Sequence, residues 1–556
     1  MCLPKLKRTP VVGGRKMILY IVLCFFINLT QGYVDKDSPP QWNPVYTVKG
    51  LLNIPYAELH EPFYAWIDSK NGKSRIDYYG AMVKTYQLTS AVYTPYGTSI
   101  KIAPVTTESE MNTQTCLQVN GTSDFSINIQ SVLPDMTDFK FLGSETVSWT
   151  SICRSIRHSW HTLRPVGFCV YKAVPGYEMK GFNSLLGSHY DHYYLEYSDY
   201  DIDDIDPDVF NYETGLKCST FPGPGHLHFA TFNPMKEFVH PVHDAHISDE
   251  FSRFKSKHKK NYASDVEHEK RLNIFRQNLR FIHSKNRARL GFTMSVNHLA
   301  DRTDDELAAL RGRRYSGPNL GLPFPYSPSM VEEMNVKLPP EFDWRLFGAV
   351  TPVKDQSVCG SCWSFGTVGA VEGALFLHNG GHLVRLSQQA LVDCSWGFGN
   401  NGCDGGEDFR AYQWIMKHGL PTEEDYGGYL GQDGYCHIDN VTAVTSMTGW
   451  VNVTTNDEKA LKLAIFKHGP ISVAIDASKK TFSFYSNGVY YDPKCNNNID
   501  GLDHAVLAVG YGVLNGQKYW LIKNSWSNMW GNDGYVLMSS KDNNCGVETA
   551  PTYVLI

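Results

Sequence analysis

A chain of 556 residues is longer than one hydrophobic core usually organises, so two or three domains are expected. Apolar residues make up 42% and aromatic residues 13%, ordinary values for packed globular domains. The formal net charge of −6 lacks the basic excess of a nucleic-acid binder, and no nucleic-acid partner is expected.

In chain order, residues 1–32 read as a secretory signal peptide. Lys5, Lys7, Arg8, Arg15 and Lys16 precede the apolar run MILYIVLCFFINL, and Thr30-Gln31-Gly32 offers a cleavage zone. The run is short for a bilayer span, which needs about 20 apolar residues, so no membrane attachment is expected once it is removed. Entry to the secretory route permits disulfides. Of thirteen cysteines, Cys2 and Cys24 leave with the signal and Cys116, Cys153, Cys169 and Cys218 lie in the N-terminal third, their pairing open. Seven follow residue 350: Cys359, Cys362, Cys394, Cys403, Cys436, Cys495 and Cys545. An odd set in an oxidising compartment implies three bridges and one free thiol. Sequons at Asn120, Asn440 and Asn452 fit a secreted glycoprotein.

Residues 33–240 form one expected domain, β-rich over 41–220. FYAWIDSKNGKSRIDYY reads as two strands joined through Asn71-Gly72, the turn favoured by type I′ hairpins. Between Tyr190 and Asp208, tyrosines mix with Asp199, Asp201, Asp203, Asp204, Asp206 and Asp208 without EF-hand spacing, which predicts a solvated acidic loop. FPGPG at 221–225 marks a domain edge, and the irregularly spaced His226, His228, His240, His243 and His246 predict a linker that gains charge in acid. No metal or cofactor site is expected. From 249 to 290, Phe251, Phe254, Leu272, Phe275, Leu279 and Ile282 recur at three- and four-residue steps, which predicts a long amphipathic helix or a bent pair. Arg313-Arg314 and GPNLGLPFPYSPS read as an exposed basic, Pro-rich tether and a proteolytic target.

From Leu338 the composition shifts to that of an α+β domain. WSFGTVGAVEGALFLHNGG is a helix beginning at Cys362 and stopped by Gly380-Gly381. QSVCGSCWSF could be a redox pair, half of a zinc site, or a bridged cysteine beside a reactive thiol. A redox pair calls for a small thioredoxin-like unit and zinc for a second ligand pair, whereas the odd cysteine count fits a bridged Cys359 and a free Cys362. A thiol at a helix start, a histidine within reach and a third group holding the ring would make a nucleophile. His504 in DHAVLAVGYG and Asn524 in WLIKNSW end apolar, strand-like runs, although periodicity alone does not choose His504 over His468 or His437.

The string Cys359-Gly-Ser-Cys362-Trp363, with LPPEFDWR, LVDCS, NGCDGG, DHAVLAVGYG and KNSWSNMWG, makes residues 338–556 resemble a cathepsin L-like cysteine peptidase of the papain family. The resemblance implies a two-lobed domain with a helical lobe and a β-barrel lobe. It implies Cys362 as nucleophile, His504 as base and acid, Asn524 as ring holder, and Gln356 with the Cys362 N–H as oxyanion donors. Trp526 would shield the His–Asn bond. The bridges implied are Cys359–Cys403, Cys394–Cys436 and Cys495–Cys545. Gly405, Gly406, Glu407, Asp408, Ala474, Ala505 and Ala550 would line the substrate cleft, giving a roomy S2 pocket with an acidic rim that tolerates basic P2 residues alongside hydrophobic ones. Ser527 stands where glycine is commoner.

Glu267, Arg271, Phe275, Asn278, Ile282 and Asn286 match the interspersed ERFNIN pattern of cathepsin L-type propeptides. SVNHLAD resembles the second propeptide motif, with Ser295 and Leu299 where glycine and phenylalanine are usual. Residues 241–337 are therefore expected to be a helical inhibitory propeptide and linker, lying along the cleft opposite to substrate direction. PYAE, SRIDYYG, VKTYQ, PVTTES, CLQVNGT and GFNSLLGSHYDHYY make residues 33–240 resemble the N-terminal, all-β domain of the insect 26/29 kDa proteinase family, which can be cleaved yet retained as a second chain. The function implied is a lysosomal, endosomal or extracellular cysteine endopeptidase made as a zymogen, acting on protein and peptide substrates through an acyl-enzyme. The alternatives are a dipeptidyl peptidase with an exclusion domain and a non-catalytic binding protein.

Overall fold

The computed structural model describes residues 42–54, 59–89, 94–105, 112–133, 139–148, 151–158, 166–173, 176–183, 193–212, 216–220 and 245–556. The signal segment 1–32, the break at 221–225 and His226, His228, His240 and His243 lie outside the described residues. The chain separates into two compact units, one holding a twelve-stranded sheet and the other residues 243–556. Among the described residues no helix is long and apolar enough to cross a membrane, and no group of three or more His, Cys, Asp or Glu could hold a metal ion.

The first unit contains β1 (Val45–Ile54), β2 (Leu59–Asp68), β3 (Lys73–Tyr78), β4 (Val83–Leu88), β5 (Thr98–Val105), β6 (Thr113–Asn120), β7 (Phe139–Ser148), β8 (Ser151–His158), β9 (Val166–Ala173), β10 (Gly176–Asn183), β11 (Tyr193–Asp201) and β12 (Ser219–Thr220). Their order is β12-β6-β5-β4-β3-β2-β1-β11-β10-β9-β8-β7. Ala65 with Ile67 and Ile100 with Ile102 are buried at two-residue spacing, as a sheet with one covered face requires. Cys116 is bridged to Cys218. The hairpin between β2 and β3 corrects the expected two-residue turn. Asp68 pairs directly with Lys73, leaving a four-residue loop in which only Gly72 has positive φ, +63°. Asp68 closes it by accepting from the Asn71 N–H (3.0 Å) and Nδ2 (2.7 Å). The aspartates after β11 serve local turns: Asp206 caps Pro207–Phe210 through the Asp208 N–H (3.0 Å), and Asp201 accepts from the Asp203 N–H (3.0 Å).

In the second unit the amphipathic stretch forms a bent pair, α1 (Ala245–Lys257) and α2 (Asp265–Arg287), followed by α3 (Asp304–Ala308). Each motif residue of α2 has a physical task. Arg271 bonds Glu267 (2.6 Å), Glu306 (2.5 and 2.8 Å) and the Asp301 carbonyl (2.8 Å), tying α2 to the capping box of α3. Phe275 packs against Phe251 and Phe254 of α1, with ring centroids 5.2 and 4.9 Å apart. Asn278 Nδ2 donates to the Ala300 carbonyl (2.9 Å), and Asn286 exchanges two 2.8 Å bonds with the Met294 backbone. Asn297 Nδ2 donates to the Ser483 carbonyl (2.8 Å), and Asp301 accepts from Lys260 and Tyr262, both at 2.9 Å. The two departures leave the contacts intact: Ser295 binds the Phe484 carbonyl through its N–H (3.0 Å), and Leu299 is buried.

The remaining strands are β13 (Phe292–Met294), β14 (Leu322–Pro323), β15 (Phe342–Asp343), β16 (Gly449–Asn452), β17 (Ile471–Ile475), β18 (Tyr485–Tyr490), β19 (His504–Leu514), β20 (Gln517–Lys523), β21 (Tyr535–Ser539) and β22 (Thr552–Leu555). The order β13-β18-β21-β20-β19-β17-β22-β16-β14 places a strand from residues 241–337 at each end of the path. Backbone pairing at both edges thus holds that segment on the domain that follows it. After α4 (Pro328–Asn335), α5 (Cys362–His378) packs on β19, β17 and β22. Gly369 and Gly373 permit the close approach: added Cβ atoms would stand 2.6 Å from Leu507 and 2.4 Å from Pro470 side chains. Ser527 sits in the left-handed region at φ +66°, which accounts for glycine being usual there. Asn120 and Asn440 are exposed, whereas Asn452 Nδ2 is engaged by the Asn319 carbonyl (3.2 Å) beneath β14.

Candidate active site

The thiol sits where two rigid elements meet. The loop before α5 is closed by the Cys359–Cys403 bridge, and Cys394–Cys436 and Cys495–Cys545 are also joined. Cys362 is the free cysteine among the described residues and the first residue of α5, where the positive end of the helix favours negative charge. Ser361 at the N-cap bonds its hydroxyl to Tyr429 Oη (2.6 Å) and makes no side-chain cap.

His504 opens β19 and Asn524 directly follows β20. The antiparallel register, Leu507 opposite Lys523, brings the two side chains together. His504 Nε2 lies 2.8 Å from Asn524 Oδ1. The amide oxygen can only accept, so Nε2 carries the proton and Nδ1 is left as the basic nitrogen. Both residues are buried, and the Trp526 ring covers the histidine at a centroid distance of 4.9 Å. The Ala505 N–H, next to His504 in the chain, donates to Cys362 Sγ (3.5 Å).

Gln356 completes the cluster. Its Oε1 accepts from Ser525 Oγ (2.6 Å), which fixes the amide so that Nε2 donates to the carbonyls of Cys359 (2.7 Å) and Leu310 (2.9 Å). Leu310 belongs to the segment that precedes the domain, so its carbonyl occupies a donor suited to a developing oxyanion. Ser525 and Tyr429, which orient Gln356 and Ser361, escaped the sequence reading. Only the adjacency of Ser525 to Asn524 in KNSW pointed to it.

Residues 310–314 run across this cluster. The Gly312 N–H donates to Cys362 Sγ (3.3 Å), its carbonyl accepts from the Gly406 N–H (2.8 Å), and the Arg314 N–H donates to the Gly406 carbonyl (3.1 Å). The Arg313 N–H binds the Asp503 carbonyl (2.9 Å), and Arg311 pairs with the Asp503 carboxylate (2.8 Å). Under this cover both titrating groups are pushed toward neutrality. Burial raises the Cys362 thiol, against the Ala505 and Gly312 N–H groups. Burial lowers His504 to about 4, aided by Arg311 and opposed by Asn524 and the Leu310 carbonyl.

The cleft residues beside the thiol are brought together around one pocket lined by Glu407, Asp408, Ala474, Ile499, Ala505 and Ala550. Two expectations are corrected here. Arg313 is not an exposed tether residue: it is buried, its charge met by Glu407 (3.2 Å), while Arg314 remains exposed. Glu407 is not on a rim but only 2% exposed. Asp408 is engaged by Ser472 Oγ (2.8 Å) and Thr552 Oγ1 (2.9 Å). Gly405 and Gly406 flank the crossing segment, and a Cβ on Gly405 would stand 2.5 Å from the Gly312 carbonyl.

At Gly312 an added Cβ would lie 1.6 Å from the Gly360 carbonyl oxygen and 2.2 Å from its carbon, so no side-chain movement relieves the clash. Gly312→Ala is therefore expected to lift the segment and let a small active-site thiol reagent label the precursor at neutral pH. Labelling as slow as in the wild-type precursor counts against this crossing as the latch.

Residues 338–555 match the papain family cysteine protease domain and residues 251–307 the cathepsin propeptide inhibitor domain (I29). The chain is 45% identical over 321 residues to the cathepsin L-like peptidase of Aedes aegypti, covering 56% of this chain and 94% of that protein. It is 41% identical over 327 residues to procathepsin L of Mus musculus, covering 57% and 94%. The solved structure of digestive procathepsin L 3 from Tenebrio molitor larval midgut is similar at a TM-score of 0.50 and 38% identity, covering 56% of this chain and 99% of that one. With the thiol, the imidazole–amide pair and the covering segment described, these matches establish that the chain belongs to the papain family as a cathepsin L-like cysteine endopeptidase carrying its own inhibitory propeptide.

Proposed function

We propose that Cys362, His504, Asn524 and Gln356 are the catalytic set of this endopeptidase, in a two-lobed domain with the cleft between a helical lobe and a β-barrel lobe. The observation that carries the reading is the free thiol at the start of α5, bonded by the N–H of Ala505 beside a histidine whose Nε2–H is held by Asn524. The Cys362 proton passes to His504 Nδ1, and the thiolate attacks the scissile carbonyl carbon. The oxyanion takes hydrogen bonds from Gln356 Nε2 and the Cys362 N–H. As the tetrahedral adduct collapses, the C–N bond breaks, His504 gives its proton to the leaving amine, and an acyl-enzyme remains. Water, deprotonated by His504, then releases the acid and regenerates the thiol. Asn524 holds the ring throughout, with Trp526 excluding water from that bond. Gln356→Ala is expected to lower kcat by about 10²- to 10³-fold on an N-terminally blocked peptide. An epoxide inhibitor of cysteine peptidases should still label Cys362 in that variant. Unchanged turnover would remove Gln356 from the set.

Residues 1–32 act as a signal, 33–240 as an accessory domain retained as a second chain after processing, 241–337 as propeptide and linker, and 338–556 as peptidase. Lysosomal, endosomal or extracellular degradation of proteins follows from a signal peptide, disulfides and glycans at Asn120 and Asn440. Activation proceeds by acid release and proteolysis of the propeptide. The Arg271–Glu306 link is not the part that acid breaks. Burial alone would raise Glu306, but Arg271 and the Thr303 N–H outweigh it and hold the carboxyl at about 2, so its contribution survives at pH 4–5.

The sensor is instead the His258–His298 pair. Burial, then Lys260, His258 and Arg302, push His298 down to about 3 against Asp301, and its Nδ1 is buried without a partner. A depressed pKa contributes stability that is complete above the ordinary value of about 6.5 and is lost as pH falls toward about 3. Thermal melts of a Cys362→Ala precursor, which cannot process itself, should show the propeptide losing stability from pH 7 to 4. His298→Gln should flatten that slope. An unaltered slope would place the sensor elsewhere.

A further inference from the structure

We propose that the pocket beside Cys362 is an arginine-selective subsite in which Glu407 receives the P2 guanidinium, with Arg313 of the propeptide as its built-in occupant. This rests on the peptidase reading above and goes further by naming the side chain the pocket is shaped to take.

Arg313 is held by both ends of its guanidinium fork. Its Nη1 donates to two backbone carbonyls, Leu502 (2.8 Å) and Ile499 (3.1 Å), while Nη2 reaches Glu407 Oε1 (3.2 Å). Three acceptors shared between two guanidinium nitrogens suit a planar fork and do not suit the point charge of a lysine ammonium. The pair is enclosed, with side-chain exposures of 7% for Arg313 and 2% for Glu407. The walls offered by Ala474, Ala505 and Ala550 are small, which leaves the room a long side chain needs.

Glu407 is also committed to the propeptide through its second oxygen. Oε2 accepts from the Ser316 N–H (2.7 Å) and from Ser316 Oγ, and Arg410 holds Ser316 rather than the carboxylate, Nε to Oγ at 3.1 Å. When the propeptide leaves, Glu407 loses Arg313 and Ser316 together, in a pocket where Asp408 is already satisfied by Ser472 and Thr552. That leaves an anionic pocket without its cation or its hydroxyl donor, which favours a substrate that restores the positive charge. A pocket lined by these alanines and by Glu407 accepts an arginine whose methylenes lie along the alanines and whose head reaches the carboxylate.

The test uses the full chain after acid activation, with N-terminally blocked fluorogenic dipeptides bearing arginine at P1 and arginine, citrulline, lysine or leucine at P2. Citrulline keeps the shape of arginine without its charge. The expected result is kcat/KM highest for arginine, with citrulline and lysine each about 10- to 100-fold lower, the loss of one charge-assisted bond. Glu407→Gln should lower the arginine-to-leucine ratio by a similar factor. Cleavage of the leucine substrate with arginine no better than citrulline overturns the subsite and leaves the peptidase reading standing. Absence of cleavage of all four, with no epoxide labelling of Cys362, overturns that reading itself. Should the Gln variant fail to fold, the arginine–citrulline comparison on the wild-type enzyme decides alone.

Discussion

One backbone contact organises the precursor: the Gly312 N–H laid on the sulfur of Cys362 at 3.3 Å. It is possible because Gly312 lacks a side chain where the Gly360 carbonyl passes beneath it. From that point the propeptide backbone pairs with Gly406 on one side and Asp503 on the other, and the Leu310 carbonyl takes the Gln356 amide. Blocking is therefore more than occlusion. The same residues that deny access also exclude water from a thiol and an imidazole, and low polarity disfavours a thiolate–imidazolium pair.

The covering segment is kept in place by two kinds of attachment that respond differently to acid. Strands β13 and β14 add backbone pairs at the two ends of the sheet, and Asn278, Asn286 and Asn297 tie side-chain amides to backbone groups, none of which titrates. Arg271 with Glu306 titrates only in strong acid. Burial holds the histidines near Lys260 and Arg302 below their ordinary range, so what they contribute fades as pH falls below about 6.5. Under the proposed acid activation, the end of the propeptide that holds His258 and His298 is the one that responds.

Much of the site was readable in the sequence because it is carried by local patterns. The odd cysteine count isolated a thiol, the glycine-stopped helix began at it, and the apolar runs ending in His504 and Asn524 became neighbouring strands. The amphipathic spacing resolved into a bent helix pair because Lys257 and Ser264 bound a break that the apolar period alone did not locate. What stayed hidden depended on partners far apart in the chain. Arg313 lies in a run of arginines and reads as solvated until Glu407, ninety-four positions later, is seen to bury it. Glu407 read as a rim charge for the same reason. The Asn71-Gly72 pair suggested a tight hairpin, but Asp68 bonds the loop into a longer one.

If the propeptide keeps Cys362 and His504 neutral, its departure lets them ionise. The most direct measurement is the rate of Cys362 alkylation by a small haloacetamide as a function of pH, read by mass spectrometry in the precursor and in the activated enzyme. The expected precursor rate rises only above the range of an ordinary thiol, about 8.5, and the activated enzyme is already reactive well below neutrality. A precursor that alkylates at pH 6 as fast as the activated enzyme would contradict that expectation.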